Sequence, residues 1–495
     1  MHVSRLRPML LAGVLLAGGC TAAFNADAKA ASRTVMPAEL TTVVAGATGA
    51  ELAVQASRSL FSHAPAVILV GEQDAPSMAR ADSAAVELGV PVLLTAAADG
   101  TAAAVREELG RLAPKTLIPI GDAATGWAKD HATEGQAVKP FQGSGLPRLG
   151  SVAPLDQLVV LTLDRADAAA ATATAKASRA QVLVLKDPDP RADDEVIKAL
   201  TGRPAAHVMA LGSAFGPAER LRNRIATAAT GTLLPGGRQV VYPNRRLIAL
   251  YGHPGDSGLG SLGEQGVEAA VKRARKVAGQ YAEIDKGLVV PAFEIITTVA
   301  SSDPGPDGDF SNESTVDHLR PWVDAAGAAG IYVLLDLQPG RTDFLTQAKR
   351  YEELLVQPHV GLALDPEWRL SPGQRHMVQI GSVGSSEINK TAAWLAELTR
   401  SRHLPQKILM LHQFRTDMIT SRQSIDTNFD ELAVVIHADG FGSASEKMAT
   451  WDNVRAEAPN QVWWGWKNFY DEDKPTFSPK QTIAIEPSPV FVSYQ

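Results

Sequence analysis

The C-terminal half of the chain, from about residue 245 onward, carries eight short apolar runs, most of them separated by longer amphipathic segments. The runs are RLIALYG (246–252), LVVPAFEIIT (288–297), IYVLLDLQ (331–338), VGLALDPEW (360–368), KILMLHQF (407–414), LAVVIHADG (432–440), QVWWGWKNF (461–469) and PVFVSYQ (489–495). Each is too short for a helix and apolar on both faces, as a strand covered on both sides must be. Segments such as GVEAAVKRARKVAGQYAEI (266–284), TDFLTQAKRYEELLV (342–356) and SEINKTAAWLAELTR (386–400) read as the connecting helices. Eight strands alternating with helices over this length predict a (β/α)8 barrel of the TIM type, residues 245–495. The stretch from Phe469 to Ser488 has no clear helix, so the last unit is expected to be irregular. A chain that ends on a strand is expected to close the barrel on its first strand.

In such a barrel the side chains at the C-terminal ends of the strands converge on one mouth. Here those positions hold Tyr251, His253, Glu294, Asp336, Gln338, Asp365, Glu367, His412, Gln413, His437, Asp439, Trp463, Trp466, Lys467 and Tyr494. Burying so many polar groups without a use is costly, and their recurrence at strand ends marks a site. Several carboxylates with tryptophans nearby suit glycoside hydrolysis: a protonated acid serves the leaving oxygen, and a carboxylate, a water or the substrate itself supplies the nucleophile. Glu367 and Asp365 are the first candidates, two apart on one expected strand face, with Asp336 as the alternative carboxylate. Tyr251, His253, Glu294, His412, His437, Asp439, Trp463 and Trp466 are the expected substrate-binding groups. Trp368 and Trp464 could stack on sugar rings or equally pack in the core.

From about Leu40 to Gly236 the chain is rich in Ala and Val and poor in aromatics. AVILVG (66–71), PVLLT (91–95), TLIPIG (116–121), LVVLTL (158–163), QVLVLK (181–186) and HVMALG (207–212) alternate with Ala-rich segments. That pattern predicts Rossmann-like parallel βαβ units, one over about 40–122 and a second over about 155–215, in a region spanning 37–240. No G-x-G-x-x-G fingerprint stands at a strand-to-helix turn, so no nucleotide cofactor is expected. AVQASRSLFSHAPAVILVG (53–71), ADSAAVELGVPVLLT (81–95) and LGRLAPKTLIPIGD (109–122) resemble the type 2 cell-wall-binding repeat of actinobacteria and clostridia. The resemblance implies attachment to anionic wall polymers. Ser77-Met78-Ala79 stands where that family has Asp-Ala-Leu, so a spacer or packing role is the alternative.

The N-terminus sets the compartment. Arg5 and Arg7 precede the apolar stretch MLLAGVLLA (9–17), which is short for a membrane span and reads as a signal peptide, residues 1–19. LAGGC ends on Cys20, the only cysteine, and resembles a bacterial lipobox, with Ala17 where the family usually has Leu. The resemblance implies cleavage before Cys20, lipid attachment there, and anchoring to the outer face of the cell membrane. Residues 20–36 read as a tether. A formal net charge of −7 excludes general nucleic-acid binding.

VGLALDPE also resembles the end of the fourth-strand D-x-x-D-x-D-x-E motif of chitinase-like hydrolases, reduced here to its final D-x-E. Carried over, the likeness makes Glu367 the acid and Asp365 the group that orients the substrate. The whole C-terminal region resembles the glycosidase-like barrels of actinobacterial lipoproteins. The expected partner is a cell-wall polysaccharide or a peptidoglycan-linked glycan. A barrel that binds glycan without cleaving it is the rival expectation, and a metal-dependent hydrolase using His253, His412, His437 and Asp439 is a third. The acidic loop SSDPGPDGDFSNES (301–314) lacks EF-hand spacing and reads as a polar loop beside the mouth.

Overall fold

The computed structural model describes residues 30–95, 99–203 and 206–495. The expected signal peptide and Cys20 lie outside the described residues. Eight parallel strands form a closed barrel: β1 Arg245–Gly252, β2 Leu288–Ala300, β3 Tyr332–Leu337, β4 Val360–Leu364, β5 Lys407–Gln413, β6 Leu432–Ala438, β7 Trp463–Asn468 and β8 Phe491–Tyr494. Neighbours in sequence are neighbours in space, and β8 pairs with β1, Leu247 opposite Phe491. The last strand therefore closes the barrel, as the chain's end on PVFVSYQ predicts. Only a short helix, Pro479–Ile483, lies between β7 and β8.

Side-chain alternation along the strands sorts the barrel into two cores. Leu247 and Ala249, Val290 and Ala292, Tyr332 and Leu334, Ala363, Ile408 and Met410, Ala433 and Val435, and Phe491 pack together inside the barrel. The residues between them, such as Ile248, Phe293, Val333, Leu362, Leu409 and Val434, pack outward against the helices. A period of two along each strand enforces this division. Continued upward, the inward register brings Tyr251, Glu294, Asp336, Asp365, His412, His437, Lys467 and Ser493 to one polar layer at the C-terminal ends. The opposite end is stopped by the incoming chain: Leu234, Val241 and Tyr242 join the interior core from below.

N-terminal to the barrel lie two four-stranded parallel sheets. One contains strands Ala66–Gly71, Val92–Thr95, Thr116–Ile120 and Ala137–Val138; the other contains Thr41–Val44, Leu158–Leu163, Gln181–Leu185 and His207–Leu211. The first strand of the expected 40–122 unit thus belongs to the other sheet, where Thr41–Val44 pairs with Val208–Leu211. The expected boundary between units is wrong at this strand, because a central apolar core joins both sheets. Helices Gly49–Leu60, Ala75–Leu88 and Ala169–Ala177 bury Ala53, Ala81, Ala85 and Ala173 in that core. Small alanines permit the close helix approach. The tether is shorter than expected too: Arg33–Thr34 already pairs with Phe61–His63.

The second sheet's flank is fixed to the stopped end of the barrel. Arg191 and Arg224 both bind Asp430, at 2.9 Å and 2.5 Å; nearby, the Gln406 amide donates to the Gln239 carbonyl at 2.8 Å and the Val241 amide donates to Gln406 Oε1 at 3.0 Å. This attachment leaves the C-terminal mouth open.

Candidate active site

A cavity of about 580 Å3 opens at the C-terminal ends of the strands, lined among others by Tyr251, Asp365, Glu367, Trp368, Asp439 and Lys467. β4 ends at Leu364, and Asp365 caps a short 3-10 turn, Pro366–Trp368, accepting a 3.2 Å bond from the Glu367 amide. The two acids are therefore not on one extended strand. Pro366, favoured at the first position of such a turn, bends the chain so that Asp365 stays buried and Glu367 reaches the cavity wall. Among the described residues the Glu367 carboxyl has no ion pair.

A buried network of charges runs from the cavity floor into the barrel interior. The Nε2 of His412 is 2.9 Å from Glu294 Oε1, and its Nδ1 is 3.1 Å from Asp439 Oδ2. Lys467 Nζ reaches Asp439 Oδ1 at 3.1 Å and stands 3.6 Å from the Tyr251 ring centre. The Tyr251 hydroxyl donates to Asp336 Oδ2 at 3.0 Å. His437 sits beside His412, Nδ1 to Nδ1 at 3.3 Å, and meets Ser493 Oγ at 3.2 Å. Gly465 makes this possible, since a Cβ there would lie 2.4 Å from the His437 ring.

Five carboxyl groups (Glu294, Asp336, Asp365, Glu367 and Asp439) thus surround two cations, His412 and Lys467, and their protonation divides accordingly. Burial alone would strip the proton from His412, but the Glu294 and Asp336 carboxylates and the bond to Asp439 hold its pKa well above the usual value. Both its nitrogens donate, so it is an imidazolium. Burial works against Asp439 ionising, yet Lys467 and His412 overcome it and keep the carboxyl well below its usual range. Glu294 is likewise held ionised by His412 against its burial. Of the remaining acids, Asp336 alone approaches a cation, at 3.8 Å from His412 Nε2. Burial, with the Asp439 charge, pushes Glu367 up to about 7. Burial, offset in part by His412 and reinforced by Glu294, pushes Asp336 up to about 6. Asp365 is driven well above the usual range, first by burial and then by its acidic neighbours, against the pull of His412. Burial brings His437 down to about 3, which keeps it neutral.

The structure corrects several expected roles. Asp336, Glu294, His412 and His437 are completely buried below the floor and do not line the cavity. They hold and polarise the residues above them. His253 is turned away at the rim: its Nδ1 bonds the Ile296 carbonyl at 2.9 Å and its ring stacks near His318. Trp463 lies at the stopped end, 4.9 Å from the Tyr242 ring. Trp466 points out of the barrel, buried against Trp451 and Phe477. Neither tryptophan faces the mouth, because Lys467 takes the inward position two residues after Gly465, itself two after Trp463. Tyr251, Asp365, Glu367 and Asp439 do line the cavity. Lys467, expected at the mouth as a strand-end group, joins them there, and so does the exposed Phe441, which the sequence reading did not place in the site.

Two groups around His412 could also bring donor atoms to a metal ion: Glu294, His412 and His437, and Asp365, His412 and Asp439, each within 4.8 Å; a third, Asp307, Asp309 and Glu313, lies on the acidic loop. The first two use His412, whose nitrogens are already committed to carboxylates, and both of these lie beside the Lys467 ammonium. A divalent ion there would have to displace that proton and tolerate the lysine.

No protein-family model matches the chain, and no curated protein matches it. Among solved structures, Cwp6 from Clostridium difficile is similar at 15% identity and a TM-score of 0.28, over 53% of this chain and 64% of that one. The xylanase and alpha-amylase inhibitor protein from Scadoxus multiflorus is similar at 16% identity and a TM-score of 0.31, over 50% of this chain and 92% of that one. Cwp8 from Clostridium difficile is similar at 16% identity and a TM-score of 0.20, over 65% of this chain and 48% of that one. The chain thus covers less than two thirds of either Cwp protein. At these scores the likenesses carry no inference about activity.

What the site can do rests on its own chemistry. It offers a carboxyl raised to about 7, Glu367, and a carboxylate held ionised, Asp439, in one cavity floored by Asp365, whose carboxyl is driven well above the usual range.

Proposed function

We propose that the barrel hydrolyses glycosidic bonds of an envelope carbohydrate, with Glu367 as the general acid. The observation that supports this reading is the opposite displacement of two carboxyls in one cavity: Glu367 is raised to about 7 and Asp439 is held ionised. Environments that push paired acids apart assign the acid and the anion. Glu367 gives its proton to the leaving oxygen as the glycosidic bond breaks, the Asp439 carboxylate stabilises the positive charge that develops on the sugar ring, and a water adds to the anomeric carbon, its released proton restoring Glu367. Asp365, kept protonated, donates a hydrogen bond that orients the substrate, and Trp368 offers an apolar face to a ring. Export, lipid attachment at Cys20 and wall binding by the N-terminal sheets remain part of the proposal. They would bring the open mouth to the wall.

The test is release of reducing ends from purified wall polysaccharide by the wild-type protein and by Glu367→Gln. Turnover by the wild type with loss in the variant supports hydrolysis. Binding without any release favours the glycan-binding reading instead. A metal-dependent hydrolase is the second reading, favoured by the clustering of donor atoms around His412. Exhaustive chelation separates it, because it abolishes turnover only if a metal carries the reaction.

A further inference from the structure

A second cavity, of about 600 Å3, lies on the far side of Glu367 and shares Glu367 and Trp368 with the first. Both volumes fall within the roughly 300–1,000 Å3 of ordinary ligand sites. The outer cavity is walled by the segment that follows the catalytic turn, residues 376–382, and by Arg415 and Asp417 opposite. That segment is anchored along its length. The Gly381 amide donates to the Glu367 carbonyl at 2.7 Å, and the Ser382 amide to the Arg369 carbonyl at 3.0 Å. His376 Nε2 meets the Phe310 carbonyl at 3.0 Å, and its ring sits edge-on to Trp368 at 5.3 Å. Between these anchors Met377 and Val378 stand 89% and 76% exposed. Two adjacent aliphatic side chains held out on a pinned loop beside a cavity mark a contact surface.

Resting on the hydrolase reading, we propose that the outer cavity is the binding site for the leaving-group side of a linear polysaccharide, so that one chain lies across both cavities and is cut internally. An acid that protonates the oxygen between two sugars needs room for substrate on both of its sides. Here the room exists on both sides, with the acid and one tryptophan at the junction. Met377 and Val378 suit the apolar faces of sugar rings, while Arg415 and Asp417 suit their hydroxyls. The occupant is the continuing glycan, because whatever extends past Glu367 from the inner cavity must enter the outer one.

Peptide-free peptidoglycan glycan strands, long ones and the disaccharide, are the probes. Binding is measured in Glu367→Gln, with and without Met377→Asp and Val378→Asp. The expected result is that the two loop changes weaken long-strand binding about tenfold relative to the disaccharide. In wild-type digests the mean strand length should fall before disaccharide accumulates. Equal relative affinity, absence of strand binding, or disaccharide release from the outset overturns the proposal. Loop-dependent binding of long strands with no reducing ends released supports the two-cavity occupancy and overturns the hydrolase reading instead.

Discussion

His412 Nε2 lies 2.9 Å from Glu294 Oε1, with both side chains wholly buried. With Asp439 on its other nitrogen, this imidazolium is the charge around which the mouth is organised. It fixes two carboxylates as anions and leaves the acids above without a counter-ion, which is why those acids keep their protons.

Removing that charge should be more damaging than removing a pair. His412→Gln leaves Glu294 with an uncompensated buried charge and Asp439 with Lys467 as its one remaining partner, expected to cost about 3–5 kcal/mol of stability. The double change with Glu294→Gln should recover part of the loss. Urea unfolding of the three proteins checks both expectations, and equal midpoints would refute the charge assignment.

Glu367→Gln should lower turnover by roughly 10²–10⁴-fold, the usual contribution of a positioned acid, while binding is retained. Asp336→Asn should lower it far less, because Asp336 does not reach the cavity. A comparable loss in both would mean that the buried layer takes part in the chemistry directly.

The pH profile carries a sign. The acid must be protonated, so turnover should fall as pH rises through about 7, the value to which burial and Asp439 raise Glu367. Lys467 favours the ionised form of Glu367, so Lys467→Met should move the alkaline limb to higher pH. Rate measurements across pH 5–9 decide it, and a downward move would exclude Glu367 as the titrating acid.

Asp336 should leave a mark on stability. Its folded-state pKa is raised to about 6, so its contribution is fully present below the unfolded value near 4 and is lost as pH rises through 6. Relative to wild type, Asp336→Asn should therefore gain stability between pH 4 and 7, on the order of 2 kcal/mol. Asn still accepts the Tyr251 hydroxyl. Melting curves at the two pH values test the difference.

The tryptophans should separate cleanly. Trp466→Ala empties a site packed by Trp451 and Phe477 and should cost about 3–5 kcal/mol of stability, with glycan affinity per folded molecule unchanged. Trp368→Ala should spare the fold and weaken binding. Thermal melts alongside glycan binding measure both.

Sequence by itself determined the barrel, because eight apolar runs broken by amphipathic helices admit few other arrangements. It also placed Tyr251, Asp365, Glu367 and Asp439 in the mouth, since polar residues at strand ends must converge there. The alternation of two was there to be read as well: it sets Trp466 opposite in direction to Lys467 and aligns Glu294 with Ala292. What it could not give is depth. Whether an inward residue touches the cavity or lies under it depends on barrel tilt and on which neighbour rises above it, so Asp336 and His412 were placed one layer too high. The same holds for Thr41–Val44, whose local pattern is equally good for either sheet and whose pairing is chosen only by the shared core. Charge is decided last. Five acids are visible in the sequence, but which of them keep a proton follows from their distances to His412 and Lys467, and only the tertiary structure brings those groups together out of water.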